Sequence, residues 1–157
     1  MIDAHETWMQ WALAEAKKAG QKQEIPVGAL LLSENQQVLA LSHNLVITQT
    51  DPCAHAEMIA LKTGALKVQN YRLLNTTLYV TVEPCVMCMG AIIHARVKRV
   101  VFGTRDEKWG AAGSLYNFST DARFNHQPEI IKGVMEQECR ELIQQFFQAR
   151  RKLSTKK

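Results

Sequence analysis

The sequence predicts an α/β protein: one domain, built as a three-layer α/β/α sandwich around a central mixed five-stranded sheet. Three observations support this prediction. The length of 157 residues fits one domain. Short β-forming segments alternate along the chain with segments of helical periodicity. The composition, 46% hydrophobic and 22% charged, is that of a globular protein and excludes disordered, collagen-like and coiled-coil classes.

Four elements are predicted in the first half of the chain. Apolar residues three and four positions apart predict a helix over 3–19, which ends at Gly20. The apolar run 27–32 and the segment 38–42 are predicted as two strands of a hairpin, joined by a polar turn. A second helix is predicted over 55–66, because its apolar residues again recur at helical spacing.

The second half of the chain is predicted to continue the alternation of strands and helices. Residues 104–128 are rich in Gly, Asn, Ser and Asp and too long for a simple connection, so we predict a functional loop there. The remaining predicted elements are a strand over 77–82, a helix over 85–95, strands over 98–102 and 129–132, and a helix over 136–152.

The positive charge is concentrated at the C-terminus. The net charge is +4, yet five of the 19 cations lie in residues 149–157, without an acidic residue. The rest of the chain, with 14 cations against 15 acidic residues, is nearly neutral. We therefore predict a single domain over 1–157 with a basic tail from about 150. Such a tail is typical of proteins that contact phosphate backbones, and equally typical of a solvated terminus.

The cysteines and the absence of targeting signals predict a soluble, cytoplasmic protein without membrane association. The chain opens with no secretory leader, and no apolar run approaches the roughly 20 residues of a membrane span. A disulfide framework is not expected in such a chain, so a metal site or catalytic thiols are the better interpretations. The four cysteines are Cys53, Cys85, Cys88 and Cys139.

Two short motifs carry the residues suited to chemistry: His55-Ala56-Glu57 and Pro84-Cys85-Val86-Met87-Cys88. Each begins a predicted helix, where the positive end of the helix dipole favours a thiolate. Cys85 and Cys88 are three positions apart and share one helix face. Alone, this pair also fits a redox motif or half of a structural zinc site. With His55 it makes a three-ligand set that leaves one tetrahedral position open, which is typical of catalytic zinc.

Glu57 favours catalysis over a purely structural metal site. It lies two positions from His55, so on a helix the two side chains leave from different sides. Glu57 therefore need not be a ligand, and its carboxylate could exchange protons beside the open position.

Together the two motifs resemble the signature of the zinc-dependent nucleobase deaminases. The resemblance extends in register from about residue 8 to residue 152 and is greatest for the bacterial branch that acts on adenosine in transfer RNA. The further matching segments are Glu24-Ile25-Pro26-Val27-Gly28-Ala29, His43-Asn44, Asp51-Pro52, Asn70-Tyr71-Arg72-Leu73, Thr77-Leu78-Tyr79-Val80-Thr81, Val100-Val101-Phe102-Gly103, Gly110-Ala111-Ala112-Gly113-Ser114, and the end with Phe146-Phe147 and Arg150-Arg151.

The resemblance implies a cytidine-deaminase-like fold and a hydrolytic deamination of adenosine to inosine at the wobble position of an anticodon. It implies one Zn²⁺ per subunit, held by His55, Cys85 and Cys88, with Glu57 as the proton shuttle. It also implies four substrate-binding residues: Asn44, Asp106, Phe147 and Arg150. Taken alone, Asn44 is equally a turn residue, Asp106 a loop acid, and Phe147 a packing residue.

The implied partners are the anticodon stem-loop of a transfer RNA and a second copy of the chain. In a homodimer, the helices over 55–66 and 85–95 are expected at the interface, with the RNA bound near it. Arg150 and its cationic neighbours would then lie near phosphates, and Phe147 could stack on a base.

Three positions depart from the family pattern, and other functions compete. Cys53, His43 and Trp109 stand where the family more commonly has threonine, an aromatic residue and a smaller residue. These departures bear on substrate contacts and not on the zinc ligands. A deaminase of free guanine is the main alternative. A non-catalytic zinc-stabilised RNA-binding module and a metal-free thiol oxidoreductase leave Glu57 unexplained, and the oxidoreductase leaves His55 unexplained as well.

Overall fold

The computed structural model describes residues 3–155, which form four α-helices and one five-stranded sheet in the predicted order. A short 3-10 helix, Phe118–Thr120, lies within the long loop. The elements are α1 (Ala4–Gln21), β1 (Gly28–Leu32), β2 (Val38–His43), α2 (Ala56–Val68), β3 (Thr77–Val82), α3 (Val86–His94), β4 (Arg99–Thr104), β5 (Glu129–Lys132) and α4 (Glu136–Thr155).

The sheet is mixed, as predicted, with the strand order β2-β1-β3-β4-β5. β1 pairs antiparallel with both β2 and β3, whereas β3, β4 and β5 pair in parallel. Only β1 therefore runs against the other four strands. The carboxyl ends of β2, β3 and β4 meet at one edge of the sheet, the position at which open α/β sheets usually bind their ligands.

Helices cover both faces of the sheet, which confirms the three-layer α/β/α architecture. α1 and α4 pack on one face, around Met9, Tyr79 and Val101. α2 and α3 pack on the other, around Met89 and Phe102. The predicted cytidine-deaminase-like fold has this arrangement of a mixed five-stranded sheet between two helical layers.

The apolar face of α1 differs in part from the prediction. Trp11 is one of the apolar residues whose spacing predicts this helix, but its side chain is 47% exposed and packs against Trp8, with the ring centroids 5.8 Å apart. The buried stripe instead includes Met9 and Ala12. A bulky indole does not fit there, because the helix backbone at Ala12 and Ala16 lies so close to Gly28 that even a Cβ on that glycine would collide with it.

The basic tail continues α4 rather than forming a separate segment. The helix extends to Thr155, three residues beyond the predicted end, and its last turns are exposed. Lys156 and Lys157, the last two cations of the predicted tail, lie outside the described residues. Within residues 3–155, none of the helices is long and apolar enough to cross a membrane.

Candidate metal centre and active site

The two sequence motifs meet at the carboxyl edge of the sheet, at the N-termini of α2 and α3. His55 and Cys85 each occupy the N-cap position, so each lies one residue before the helix that was predicted to start with it. Both have extended backbone conformations, with ψ of 153° and 179°. Cys88 follows in the first turn of α3, where the helix dipole favours a thiolate.

The spacing of the three side chains fits a zinc ion. His55 Nδ1 lies 3.7 Å from Cys85 Sγ and 3.5 Å from Cys88 Sγ. The nitrogen and sulfur ligands of a tetrahedral zinc, with bonds of roughly 2.0–2.3 Å, lie about 3.6 Å apart. All three ligand atoms are within 4.8 Å of one another. The chain therefore supplies a three-ligand site, whose soft sulfur donors and imidazole suit zinc.

The ionisable groups of this cluster perturb one another. The hydrogen bond from the Cys88 thiol lowers the pKa of Cys85 to about 4. The same hydrogen bond, together with burial and the nearby Glu57 carboxylate, raises the pKa of Cys88. The hydrogen bond to Cys85 raises the pKa of His55. Cys85 thus forms a thiolate readily, as a metal ligand must.

Glu57 lies beside the ligands with its carboxylate almost fully buried, at 4% exposure. Burial raises the pKa of Glu57, because a charged carboxylate loses its hydration there. Ala56, the residue before Glu57, is held by hydrogen bonds to both of its backbone polar groups. Ser42 Oγ donates to the Ala56 carbonyl (2.6 Å), and the Ala56 N–H donates to Asn44 Oδ1 (2.8 Å). The end of β2 therefore fixes the segment that carries both His55 and Glu57.

A second buried carboxylate, Glu83, organises the long loop on the other side of the centre. Glu83 directly precedes Pro84 and Cys85, and its carboxylate accepts hydrogen bonds from the N–H groups of Asp106 (3.2 Å), Ala112 (3.0 Å) and Ser114 (3.0 Å). The Ser114 hydroxyl donates to it as well. This carboxylate ties the loop 104–114 to the strand end that presents Cys85.

Gly110 occupies a place in this loop that admits no side chain. Any Cβ at position 110 would collide with the Glu83 carboxylate and with the Asp106 carbonyl oxygen. Gly110 also forms a β-bridge with Cys85. The loop therefore lies directly against Cys85. Its predicted functional role stays a prediction.

A third buried carboxylate, Glu24, fixes the loop that leads from Asn44 to His55. It accepts hydrogen bonds from the N–H groups of Ile47 (3.0 Å) and Thr48 (2.7 Å) and from the Thr48 hydroxyl (2.7 Å). Burial opposes ionisation of Glu24, but the hydrogen bonds from Thr48 and Ile47 outweigh it and lower the pKa of its carboxyl group.

Sequence comparisons identify the family of this site. Residues 2–104 match the model of the cytidine and deoxycytidylate deaminase zinc-binding region. The tRNA-specific adenosine deaminase of Haemophilus influenzae is 52% identical over 146 residues, which cover 93% of this chain and 84% of that protein. The chain is a member of this deaminase family. The protein of the same name from Bacillus subtilis is 45% identical over 147 residues, covering 94% of this chain and 91% of that protein.

Solved structures show the same architecture. A deaminase described as acting on A34 of transfer RNA, at the wobble position, superposes with a TM-score of 0.84 and 37% identity, over 87% of this chain and 98% of the other. A guanine deaminase from Nitrosomonas europaea superposes with a TM-score of 0.80 at 22% identity, over 93% of this chain and 86% of that chain, and shares the fold alone.

Two of the four predicted substrate-binding residues of this deaminase lie on segments bonded to those that carry the ligands, and both already have partners. Asn44 Oδ1 accepts the Ala56 N–H, while its amide N–H groups can donate to a substrate. Asp106 Oδ1 accepts from the N–H groups of Lys108 (3.1 Å) and Trp109 (3.2 Å) and so closes the turn of the long loop.

The other two predicted residues are not brought to the centre. Phe147 and Arg150 lie on α4, in the helical layer on the opposite face of the sheet from α2 and α3. Arg150 stacks over the Phe146 ring, 4.9 Å from its centroid, and donates to the Gln23 carbonyl at 3.4 Å. As expected for adjacent helix positions, Phe146 is partly buried and Phe147 is exposed.

The three departures from the family pattern have different surroundings in the deaminase. Cys53 is exposed, in the loop before α2. His43, which stands where the family more commonly has an aromatic residue, lies between Glu15 and Lys22. Its Nδ1 is 3.1 Å from Glu15 Oε1, and its Nε2 is 2.9 Å from Lys22 Nζ. Trp109 is exposed on the loop beside Cys85.

Sequence reasoning did not find Glu83 and Glu24, because the groups they hold are 23 to 31 positions away. The signals were that Glu24 begins one of the segments that match the family and that Glu83 directly precedes Pro84.

Proposed function

We propose that this protein hydrolyses adenosine to inosine at the wobble position of a transfer RNA anticodon. One observation carries the proposal: three side chains at tetrahedral zinc spacing lie beside the buried Glu57 carboxylate. The relatives at 52% and 45% identity, whose names specify adenosine in transfer RNA, support this substrate.

The reaction needs one group that both takes and gives protons. Replacing the amino group at C6 by oxygen consumes one water and releases ammonia, so the water gives up both of its protons, one to the ring nitrogen and one to the departing amino nitrogen. Zinc held by His55, Cys85 and Cys88 would supply a coordinated water of lowered pKa. Glu57, which is not one of the three ligands, would accept these two protons one after the other, donating the first to the purine ring nitrogen and the second to the leaving amino group.

Asn44 is placed to orient the base. Its Oδ1 is anchored by the Ala56 N–H, which orients the amide NH₂, a hydrogen-bond donor, for contact with a base. An anticodon loop suits such a site, since its bases are already partly unpaired and flipping one of them costs little.

Phe147 and Arg150 would contact the RNA away from the target nucleotide. Both lie on the opposite face of the sheet from the zinc ligands, at the end of a helix that also carries Arg151 and Lys152. We assign this helix end to phosphate contacts. In a dimer it could serve RNA bound at the partner's centre.

The assembly we propose is a homodimer formed by α2 and α3. Apolar residues at these helices remain partly open to solvent, among them Met58, Ile59, Val86 and Met87. The RNA substrate would place the enzyme in the bacterial cytoplasm.

The test is a side-by-side assay with the purified, zinc-loaded protein. It is given an anticodon stem-loop with adenosine at the wobble position and, in separate reactions, free guanine, adenosine and cytidine. Inosine in the stem-loop alone is the expected result. Xanthine from free guanine, with an unchanged stem-loop, would instead identify a guanine deaminase.

The contact assigned to the end of α4 has its own test. A protein truncated after Ala149 should bind the stem-loop more weakly and with a smaller salt dependence, by about 0.7 in the log–log slope for each lost phosphate contact. Lys98→Ala, which removes an exposed cation at the opposite edge of the sheet, is the control and should keep the slope. An unchanged slope after truncation would show that the tail is a solvated terminus.

A further inference from the structure

Trp109 is a large aromatic residue whose side chain is exposed to solvent beside the metal centre. Its side chain is 67% exposed, more than that of the exposed Trp11. Leu115 and Tyr116, both 52% exposed, approach the same point of the loop, because their N–H groups donate to the carbonyl of Gly110. An exposed indole contributes little to a core, so packing does not explain this residue.

The backbone that carries Trp109 is held firmly. The Trp109 N–H donates to Asp106 Oδ1 at 3.2 Å, and the Gly110 N–H donates to the Asp106 carbonyl at 2.8 Å. The Asp106 N–H is held in turn by the buried Glu83 carboxylate. The turn 106–110 is thus fixed at both ends, and the indole would lose little backbone freedom on meeting a ligand.

The same turn is fastened to the metal centre. Gly110, the residue after Trp109, forms the β-bridge with Cys85, and the Ala111 N–H donates to the Pro84 carbonyl at 2.9 Å. The indole-bearing position is therefore the direct neighbour of the residue that bridges to Cys85. A ligand that brings a base to the centre would pass next to this turn.

We propose that Trp109 stacks on the unpaired base adjacent to the target adenosine in the RNA. This inference rests on the proposed function. Every base offers a flat π-face, and single-stranded nucleic acids are commonly held by exposed aromatic side chains of this kind. Arg105 and Lys108, exposed on the same loop, would lie near the phosphates that flank such a base.

The ring–ring contacts of the described residues leave Trp109 available for this role. Trp8 pairs with Trp11, and Phe118 pairs with both Tyr116 and Phe124. Trp109 belongs to none of the aromatic pairs formed within residues 3–155.

The experiment compares Trp109→Ala and Trp109→Phe on stem-loops with and without the neighbouring base. Two further stem-loops carry an abasic site on the 5′ or the 3′ side of the wobble adenosine. On the intact stem-loop, Trp109→Ala should raise KM roughly tenfold and change kcat little, whereas Trp109→Phe should keep most of the affinity. With the base that stacks removed, wild type and Trp109→Ala should have the same KM.

Trp11→Ala is the matched control, since it removes another exposed indole from the opposite face of the sheet, and it should leave KM unchanged. Zinc content and the thermal midpoint of Trp109→Ala should equal those of wild type. An unchanged KM of Trp109→Ala, or an equal loss on all three stem-loops, would overturn the proposal. Dissociation of the Trp109→Ala protein into monomers would also overturn it, because the residue would then belong to a subunit interface.

These results separate this inference from the proposed function. If wild type converts the intact stem-loop while Trp109→Ala matches it, only the stacking role fails. If wild type leaves the stem-loop unchanged, the proposed function fails first, and the stacking role fails with it.

Discussion

Glu57 and Glu83 are both buried carboxylates beside the metal ligands, at 4% and 3% exposure, yet their surroundings differ. The Glu83 carboxylate accepts four hydrogen bonds from one loop, three from N–H groups and one from the Ser114 hydroxyl. At Glu57, burial raises the pKa of the carboxyl group and outweighs its own N–H and the Cys88 thiol, which lower it. Cys88 would give up its thiol proton on binding a metal.

The difference separates a structural carboxylate from one free to react. The four hydrogen bonds to Glu83 occupy the lone pairs of its carboxylate and leave none for a substrate. Glu57 is desolvated and has few partners, so each of its protonation states is accessible during a reaction. By burial alone, Glu57 and Glu83 would be indistinguishable. The number of hydrogen-bond donors around each carboxylate is what suggests different roles for them.

The substitution Glu57→Gln tests this contrast with the largest expected effect. The amide keeps the size of the side chain but cannot exchange protons, so kcat on the stem-loop should fall by about 10²–10⁴-fold. Zinc content, measured by elemental analysis, and the thermal midpoint should stay at wild-type values. Loss of zinc from this variant would show that Glu57 supports the metal instead.

Glu83→Ala should act mainly on stability. It leaves three loop N–H groups and a hydroxyl without their acceptor, at a cost of about 3 kcal/mol in the free energy of unfolding. The measurement is urea denaturation of the zinc-loaded protein, with Glu83→Gln as the conservative comparison expected to lose less. If Glu83→Ala kept full stability and lost only activity, the contrast with Glu57 would be wrong.

Most of the fold and the candidate metal ligands could be predicted because the patterns that indicate them lie within short stretches of sequence. Helix and strand periodicity lies within short windows, and His55, Glu57, Cys85 and Cys88 belong to two motifs of five residues or fewer. Helix ends were predicted to within a few residues, and the N-cap positions of His55 and Cys85 needed the backbone geometry itself.

Contacts across the sheet could not be predicted in this way. The hydrogen bonds that the Ser114 N–H donates to Glu83 and the Thr48 N–H donates to Glu24 join residues 31 and 24 positions apart, and no spacing rule marks them. The exposure of Trp11 depended on how closely α1 approaches Gly28, which is a property of the packed structure. The roles of Asn44, Asp106, Phe147 and Arg150 remain predictions.

Glu24 extends the comparison to the other loop and adds a pH dependence. Its pKa in the folded protein is below the unfolded value of 4.5, so it stabilises the fold above that pH and loses this contribution as the pH falls through the folded pKa. The free energy of unfolding of Glu24→Gln should therefore be about 2 kcal/mol lower than that of wild type at pH 7. The gap should shrink steadily below about pH 4.5, as measured by denaturation at several pH values. A gap independent of pH would mean that shape, not charge, holds the 45–53 loop.

Asp106 is the smallest test, because only its Oδ1 atom is used within the turn. Asp106→Asn keeps that acceptor for the N–H groups of Lys108 and Trp109, so its unfolding free energy should stay within about 0.5 kcal/mol of wild type, whereas Asp106→Ala should lose about 1 kcal/mol. Denaturation curves of the two variants decide this. If Asp106→Asn keeps its stability but changes KM for the stem-loop, the charge of Asp106 acts on the RNA, as the resemblance implies. If both variants bind RNA like wild type, Asp106 serves only to hold the turn, and it joins Glu83 among the structural carboxylates.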